Sequence, residues 1–179
     1  MSKRPECYVS VDIEASGPVP GLYSMLSIGA CQIEDPSKTF YCELQPLNEN
    51  FIAEALKVNG FSLIELQHRG SPPIQAMRDF EQWLISLTPN NERLVFVGLN
   101  ATFDWSFINY YFWKFLGHNP FGISGLDIKA YFMGTQGCLW SETTSRHMDN
   151  LLKPELHKDH HALHDALYQA ELFRKIRQP

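Results

Sequence analysis

The chain has 179 residues, of which 44% are hydrophobic and 13% aromatic, and its formal net charge is −5 at pH 7. This length and apolar content suit a single domain spanning residues 1–179, and no repeat or linker divides it. The acidic charge disfavours a protein that binds nucleic acid through a broad basic surface. The sequence contains no run of about 18 apolar residues, so it predicts no membrane span.

The first half of the sequence predicts three strands and three helices. Alternating apolar residues indicate strands over 7–13, 26–33 and 39–44, and their short connections are typical of an antiparallel meander. Helical spacing of apolar residues then predicts helices near 52–58, 62–68 and 74–87.

The second half mixes strands with helices. The predicted elements are a buried strand over 94–99, a helix over 104–116 that ends at Gly117, a short strand or turn over 123–126, and helices over 127–133, 146–152 and 162–176. Residues 134–145 have no clear period and carry no prediction. Early antiparallel strands followed by alternating strands and helices predict an α/β domain with a mixed β-sheet flanked by helices.

The cysteines bear on the cellular location. Cys7, Cys31, Cys42 and Cys138 are scattered and lack the paired spacing of a metal site. The N-terminal residues do not resemble a signal segment. We therefore expect reduced thiols and a cytoplasmic protein without a membrane segment.

Acidic side chains follow the predicted strands. Asp12 and Glu14 lie two residues apart on the first strand and therefore share one face of it, whereas a surface alternation of charges would give the same pattern. Asp104 follows the 94–99 strand through a short polar loop that contains Asn100; it can cap a helix, or it can face Asp12 and Glu14 across the sheet.

A histidine and a further carboxylate lie near the C-terminus. His160 and Asp165 are five residues apart, which in one helix would separate them by about 140°. Both can reach one site only if His160 lies in the loop before the helix and Asp165 in its first turns. A histidine in that loop is the side-chain type best suited to act as a general base near neutral pH.

Two further patterns, a cluster of histidines and a stretch of aromatic residues, each have a functional and a purely structural explanation. His157, His160, His161 and His164 have spacings that can bind a transition metal such as zinc if the segment is helical, although they also suit surface residues. Most aromatic residues of the 104–116 helix follow core spacing, and Trp105 is retained as a candidate substrate contact.

Clustered carboxylates repel one another unless a cation lies between them. Oxygen ligands favour a hard ion such as Mg²⁺ or Mn²⁺, and a pair of such ions is the usual means of attacking a phosphodiester. These residues therefore indicate metal-dependent phosphodiester chemistry.

Three segments resemble the motifs of the DEDDh branch of the DnaQ-like 3′–5′ exonucleases, which includes RNase T and proofreading exonucleases. They are Val-Asp-Ile-Glu-Ala-Ser-Gly at 11–17, Asn-Ala-Thr-Phe-Asp-Trp-Ser-Phe at 100–107 and His-His-Ala-Leu-His-Asp-Ala at 160–166. Residues 27–30 also resemble the second-strand segment of these enzymes, so that the likeness spans residues 7–176.

The resemblance implies an RNase H-like fold and hydrolysis from a 3′ end to nucleoside 5′-monophosphates with two Mg²⁺ or Mn²⁺ ions. Asp12 would contact both ions, Glu14 and Asp165 the ion on the nucleophile side, and Asp104 the other ion. His160 would deprotonate the attacking water. The implied substrate contacts are Ala15, Ser16, Met25, Leu26, Phe61, Asn100 and Trp105, although the segment 59–61 departs from the usual His-Gly-Ile.

Three functions remain open. The first is a metal-dependent exonuclease acting on the 3′ ends of single-stranded RNA or DNA. The second is a hydrolase of short oligonucleotides or dinucleotides at the same site, which the acidic net charge favours. The third is a nucleic-acid-binding or protein-binding module without activity. A homodimer is expected by analogy alone.

Overall fold

The computed structural model describes residues 4–177. Its strands are β1 (Glu6–Ala15), β2 (Met25–Gln32), β3 (Thr39–Glu43), β4 (Arg93–Gly98) and β5 (Gly125–Asp127). Its helices are α1 (Ala53–Asn59), α2 (Leu63–Arg69), α3 (Pro73–Ser86), α4 (Ala101–Leu116), α5 (Ile128–Gln136), α6 (Ser145–Leu152) and α7 (Ala162–Arg177), and a 3₁₀ turn covers Trp140–Glu142.

The five strands form one mixed sheet in the order β3-β2-β1-β4-β5. β1, β2 and β3 are antiparallel neighbours, whereas β4 and β5 run parallel to β1 and β4, respectively. The antiparallel meander and the mixed α/β architecture are thus confirmed, with helices on both faces of the sheet.

The central strand β1 divides the core. Val9, Val11 and Ile13 are buried in an apolar cluster with α3 and α4. The residues between them face α7, as shown by the Ser10 hydroxyl, which donates a hydrogen bond to the Ala166 carbonyl at 2.8 Å. Because side chains alternate along a strand, Asp12 and Glu14 also face α7.

α7 packs against β2 where that strand has no side chain. Gly29 is the pairing partner of Asp12, and a Cβ atom at Gly29 would lie 2.1 Å from the carbonyl carbon of Ala162 and from the amide nitrogen of Leu163. The missing side chain therefore lets the first turn of α7 approach the strand that neighbours Asp12.

The boundaries differ modestly from the sequence predictions. α4 begins at Ala101 rather than at 104, because the Asp127 carboxylate accepts a hydrogen bond from the Ala101 amide at 2.6 Å. The short strand is Gly125–Asp127 rather than 123–126, and the unassigned segment 134–145 contains the end of α5 and a 3₁₀ turn. No helix within residues 4–177 has the length and apolarity needed to span a membrane.

Candidate active site

Asp12 and Glu14 line one cleft from the α7 side of β1. Asp12 is only 7% exposed although it is a carboxylate, whereas Glu14 is half-buried. The cleft has a volume of about 500 Å³ and also contains Asp104, His160 and Asp165. The structure thus brings together all five residues that the sequence motifs single out.

Asp104 reaches the cleft because β1 extends beyond its parallel neighbour. Pairing between β1 and β4 ends at Ser10 and Val97, so the edge of β1 beyond that point is free on this side. There the Ile13 amide donates a hydrogen bond to Asp104 Oδ1 at 3.0 Å. This bond fixes the Asp104 carboxylate beside the backbone that joins Asp12 and Glu14.

The position of Asp104 also depends on how α4 begins. Asp127 accepts hydrogen bonds from the Ala101 amide at 2.6 Å and from the Ala130 amide at 2.7 Å, and therefore caps two helices. Asn100 precedes α4 in a left-handed conformation with φ of 68° and lines the cleft. The sharp turn at Asn100 aims the first turn of α4 at β1.

His160 and Asp165 have the arrangement that their spacing requires. His160 is exposed in the loop before α7, in a left-handed conformation with φ of 63°, and Asp165 is buried in the first turn and a half of that helix. The Asp159 amide donates to Asp165 Oδ1 at 3.0 Å. This bond ties the histidine loop to the Asp165 carboxylate.

The loop that carries His160 has further restraints. Asp159 accepts hydrogen bonds from the His161 amide at 3.1 Å and from His164 Nδ1 at 2.7 Å. The His161 ring stacks on His164 and on Tyr41, at centroid distances of 4.2 and 4.5 Å, respectively. The histidines therefore do not converge on a zinc site: within residues 4–177, the one metal-ligand cluster consists of Glu14, His160 and Asp165.

Gln169 belongs to the site and the sequence analysis missed it. It is fully buried on α7, its Nε2 donates to Asp12 Oδ1, and its Oε1 accepts from the Leu99 amide at 2.9 Å. Gln169 lies four residues after Asp165 and therefore on the same helix face, which is the signal in the sequence that could have identified it.

The buried carboxylates resist ionisation in the absence of a cation. Burial raises the pKa of Glu14 to about 8, with a further rise from the charge on Asp165. Burial likewise raises the pKa of Asp104 to about 7, although the hydrogen bond from the Ile13 amide partly opposes this rise. The desolvated Asp12 also has a raised pKa, to which the charge on Asp104 contributes. Such a site favours a bound cation.

The donor set fits a hard divalent ion. Ligand atoms of Glu14, His160 and Asp165 lie within 4.8 Å of one another, and carboxylates of Asp12 and Asp104 line the same cleft. Carboxylate oxygens are the ligands that Mg²⁺ and Mn²⁺ prefer, and a bound cation favours the deprotonated form of these buried carboxylates. Cation binding would offset the repulsion that raises their pKa values.

An apolar notch of about 450 Å³ adjoins the cleft through Glu14 and Phe103, which line both. Its other lining residues include Ala15, Gly17, Pro18, Ile52, Val58 and Asn59. The Asn59 side chain donates a hydrogen bond to the Ala15 carbonyl at 3.1 Å. Ala15 is thus the predicted substrate residue that contributes to this notch, together with Phe103, which the sequence analysis did not select.

The remaining predicted substrate residues are not assembled into the cleft. Met25 and Leu26 are fully buried, and the buried Ser16 hydroxyl donates to the Asn50 carbonyl at 2.8 Å. Half-buried Trp105 packs edge-on against Phe96 at a centroid distance of 5.2 Å. Phe61 is half-buried beyond α1, where its amide donates to Asn59 Oδ1 at 3.1 Å.

Comparison with known proteins gives a match over nearly the whole chain. The family model RNase_T, described as an exonuclease, matches residues 9–173. The 3′-5′ DNA exonuclease Cap18 of Escherichia coli is 54% identical over 176 residues, a match that covers 98% of this chain and 94% of that protein.

Solved structures show the same fold at lower identity. The nuclease domain of 3′hExo, a DEDDh family member bound to rAMP, superimposes with a TM-score of 0.76 at 13% identity, over 97% of this chain and 92% of that one. E. coli exonuclease I in complex with a dA16 oligonucleotide gives a TM-score of 0.68 at 17% identity, over 97% of this chain and 41% of that one.

Proposed function

The chain belongs to the RNase T exonuclease family as a 3′–5′ exonuclease of the DEDDh type, and on that premise we propose that it is a metal-dependent enzyme that shortens single-stranded DNA. The observation that carries the proposal is the convergence of four carboxylates and His160 in one cleft. No other described cluster of the chain offers this set of hydrolytic groups.

We assign the metal ligands to the carboxylates of the cleft. They are Asp12, Glu14, Asp104 and Asp165. Bound Mg²⁺ or Mn²⁺ ions would neutralise these carboxylates and the charge that develops on the attacking and leaving oxygens. Gln169 holds Asp12, and the Ile13 amide holds Asp104, so that both carboxylates are oriented before an ion arrives.

His160 is the proposed general base. Its exposed ring lines the mouth of the cleft, within reach of the carboxylates of Glu14 and Asp165. It takes a proton from the attacking water as the water oxygen bonds to phosphorus and the bond from phosphorus to the 3′ oxygen breaks. The leaving 3′ oxygen takes up a proton from solvent, so that the products are a nucleoside 5′-monophosphate and a strand that is one nucleotide shorter and ends in a 3′-hydroxyl.

The terminal base is proposed to occupy the apolar notch. The notch shares Glu14 and Phe103 with the cleft, so that a base there leaves the adjoining phosphate near the carboxylates. Apolar surface and an aromatic ring bind any base through its flat face, which suits an enzyme that removes successive nucleotides.

DNA is the proposed substrate because the 54% identical relative is named as a DNA exonuclease. The test compares 5′-labelled single-stranded DNA, single-stranded RNA and duplex DNA of one sequence, with Mg²⁺, Mn²⁺ or EDTA. The proposal predicts stepwise shortening that needs a divalent ion and is fastest on single-stranded DNA. Faster shortening of RNA or of the duplex would overturn the substrate assignment.

The acidic net charge of −5 keeps short oligonucleotides as a second candidate substrate. Strands of two, five and twenty nucleotides, assayed at several salt concentrations, separate the two. A long-strand exonuclease contacts several phosphates and loses affinity steeply with salt, whereas a dinucleotide hydrolase does not.

The free cysteines of the described chain fit a proposed cytoplasmic location, and a homodimer stays a prediction.

A further inference from the structure

Two lysines line the acidic cleft, and they differ in what they contact. Lys158 Nζ lies 3.6 Å from Asp165 Oδ2, in a side chain that is 33% exposed. Lys129 Nζ instead lies 4.3 Å from the centroid of the Trp140 ring. Only the first of these ammonium groups is therefore held among the carboxylates.

The charge of Lys158 extends beyond its partner. It lowers the pKa values of Asp12, Glu14 and Asp104, partly opposing their burial. Lys129 is not among the charges that dominate the pKa of any of these groups. A single positive charge on Lys158 thus acts on all four carboxylates of the cleft.

We propose that the Lys158 ammonium is the counter-ion of the metal-free site and competes with a divalent ion for Asp165. The inference rests on the proposed metal-dependent function. Asp165 Oδ1 accepts a hydrogen bond from the Asp159 amide, whereas Oδ2 lies next to Lys158, so a metal ion that binds Oδ2 meets the ammonium group there. An ammonium group at that oxygen repels an incoming cation and must withdraw before the cation binds.

The chemistry of lysine suits a counter-ion that can leave. Its ammonium is a point charge on a flexible four-carbon stem, without the two-pronged geometry that locks arginine to a carboxylate. The partial exposure of Lys158 gives the displaced group a path to solvent. The metal-free protein therefore keeps its carboxylates near a positive charge, and ion binding must displace that charge.

The test measures ion binding rather than turnover. Mn²⁺ is titrated into full-length wild type, Lys158→Gln and Lys129→Gln by calorimetry at one pH, and melting temperatures are measured in EDTA and in saturating Mn²⁺. Lys158→Gln is expected to bind Mn²⁺ about tenfold more tightly, since a nearby like charge is removed. It should melt at a lower temperature than wild type in EDTA, and this difference should shrink in Mn²⁺.

Lys129→Gln is the matched control, because it removes the same charge from another wall of the cleft and should change Mn²⁺ affinity far less. Lys158→Arg keeps the charge and should stay near wild type, and Lys158→Met is a second neutral variant if Lys158→Gln folds poorly. If the neutral variants bind Mn²⁺ as tightly as wild type or more weakly, Lys158 is not a competing counter-ion, whereas the proposed metal-dependent function still stands. If folded wild type binds no Mn²⁺, both the counter-ion role of Lys158 and the metal-dependent function are wrong.

Discussion

Gln169 joins Asp12 to the end of β4. The Leu99 amide donates to Gln169 Oε1 at 2.9 Å, which orients the Gln169 amide so that its Nε2 donates to Asp12 Oδ1. Because Gln169 is fully buried, both of its partners would be left without a protein hydrogen bond if it were truncated. A residue outside the acidic motifs thus sets the orientation of the most buried strand carboxylate.

Gln169→Leu is expected to lower kcat by about 10- to 100-fold, because a mispositioned ligand weakens the site while the substrate notch stays intact. Its unfolding free energy should fall by about 1–3 kcal/mol for the unpaired groups. Steady-state kinetics and denaturant unfolding check these values. Thr88→Val, which changes a half-buried polar residue far along the chain, is the control, and full activity of Gln169→Leu would contradict the role.

Gly29→Ala tests how α7 is positioned. The added methyl group would lie 2.1 Å from backbone atoms of Ala162 and Leu163, which cannot yield as a flexible side chain would. We expect a loss of about 1–3 kcal/mol in unfolding free energy and a weakened ion site, because Asp165 moves away from Asp12. Gly134→Ala, where a Cβ atom meets nothing within 4 Å, is the control. Equal melting temperatures and Mn²⁺ affinities for the two variants would contradict this account.

The Asp159–His164 pair is predicted to hold His160 in place. His160 has φ of 63°, a costly conformation for a non-glycine residue, and Asp159 bonds to both the His161 amide and the His164 ring. Asp159→Ala and His164→Ala should each lower kcat more than they raise KM. The double variant should be little worse than either one, because both break one interaction.

His157→Ala is the control for this cycle, since His157 is an exposed histidine of the same loop. Strict additivity of the two losses in log kcat would show that the residues act separately. Partial recovery of kcat in His164→Gln, whose amide can still donate to Asp159, would support the positioning role over a general loss of stability.

The metal-free protein should lose stability as the pH rises. Glu14 has its pKa raised from 4.5 to about 8, and Asp104 from 3.8 to about 7. Above their ordinary pKa values the unfolded chain releases protons that the folded protein retains. Their stabilising contribution is therefore complete below those values and is lost gradually up to pH 7 for Asp104 and pH 8 for Glu14.

Melting temperatures in EDTA from about pH 5 to about pH 8 check this sign, and saturating Mg²⁺ should reduce the fall. Asp12→Asn should melt higher than wild type in EDTA at the upper end of this range, because it removes a buried charge and keeps an oxygen for Gln169. It should nevertheless be inactive. A melting temperature in EDTA that rises with pH would contradict the electrostatic description.

The sequence was informative where chemistry is local. The succession of strands and helices along the chain, the placement of Asp12 and Glu14 on one strand face, and the position of His160 before the helix that carries Asp165 all follow from periodicity and spacing. The structure shows the same arrangement. Asp104 was identified, but the helix start at Ala101 was not, because it depends on a hydrogen bond that the Ala101 amide donates to Asp127, 26 positions away.

What the sequence could not reveal depends on distant contacts. Gln169 can reach Asp12 because Gly29 lets α7 approach β2 closely. The sequence alone does not reveal this approach, because a glycine in a strand can also mark a bulge or a bend. The loop before α7 has no periodicity, and its path is fixed by Glu171, whose carboxylate accepts from the Glu155 and Leu156 amides at 2.8 and 3.0 Å. Such contacts are set by packing, which a single sequence does not report.

Exonuclease action from the 3′ end can be read from the products of single-stranded DNA labelled at its 5′ end, incubated with wild type, Asp165→Asn or the loop control His157→Ala. We expect a ladder of progressively shorter labelled strands with wild type and the control, and a rate at least about 100-fold lower with Asp165→Asn. Undiminished shortening by folded Asp165→Asn, or release of the label as a mononucleotide before any ladder forms, would contradict this expectation.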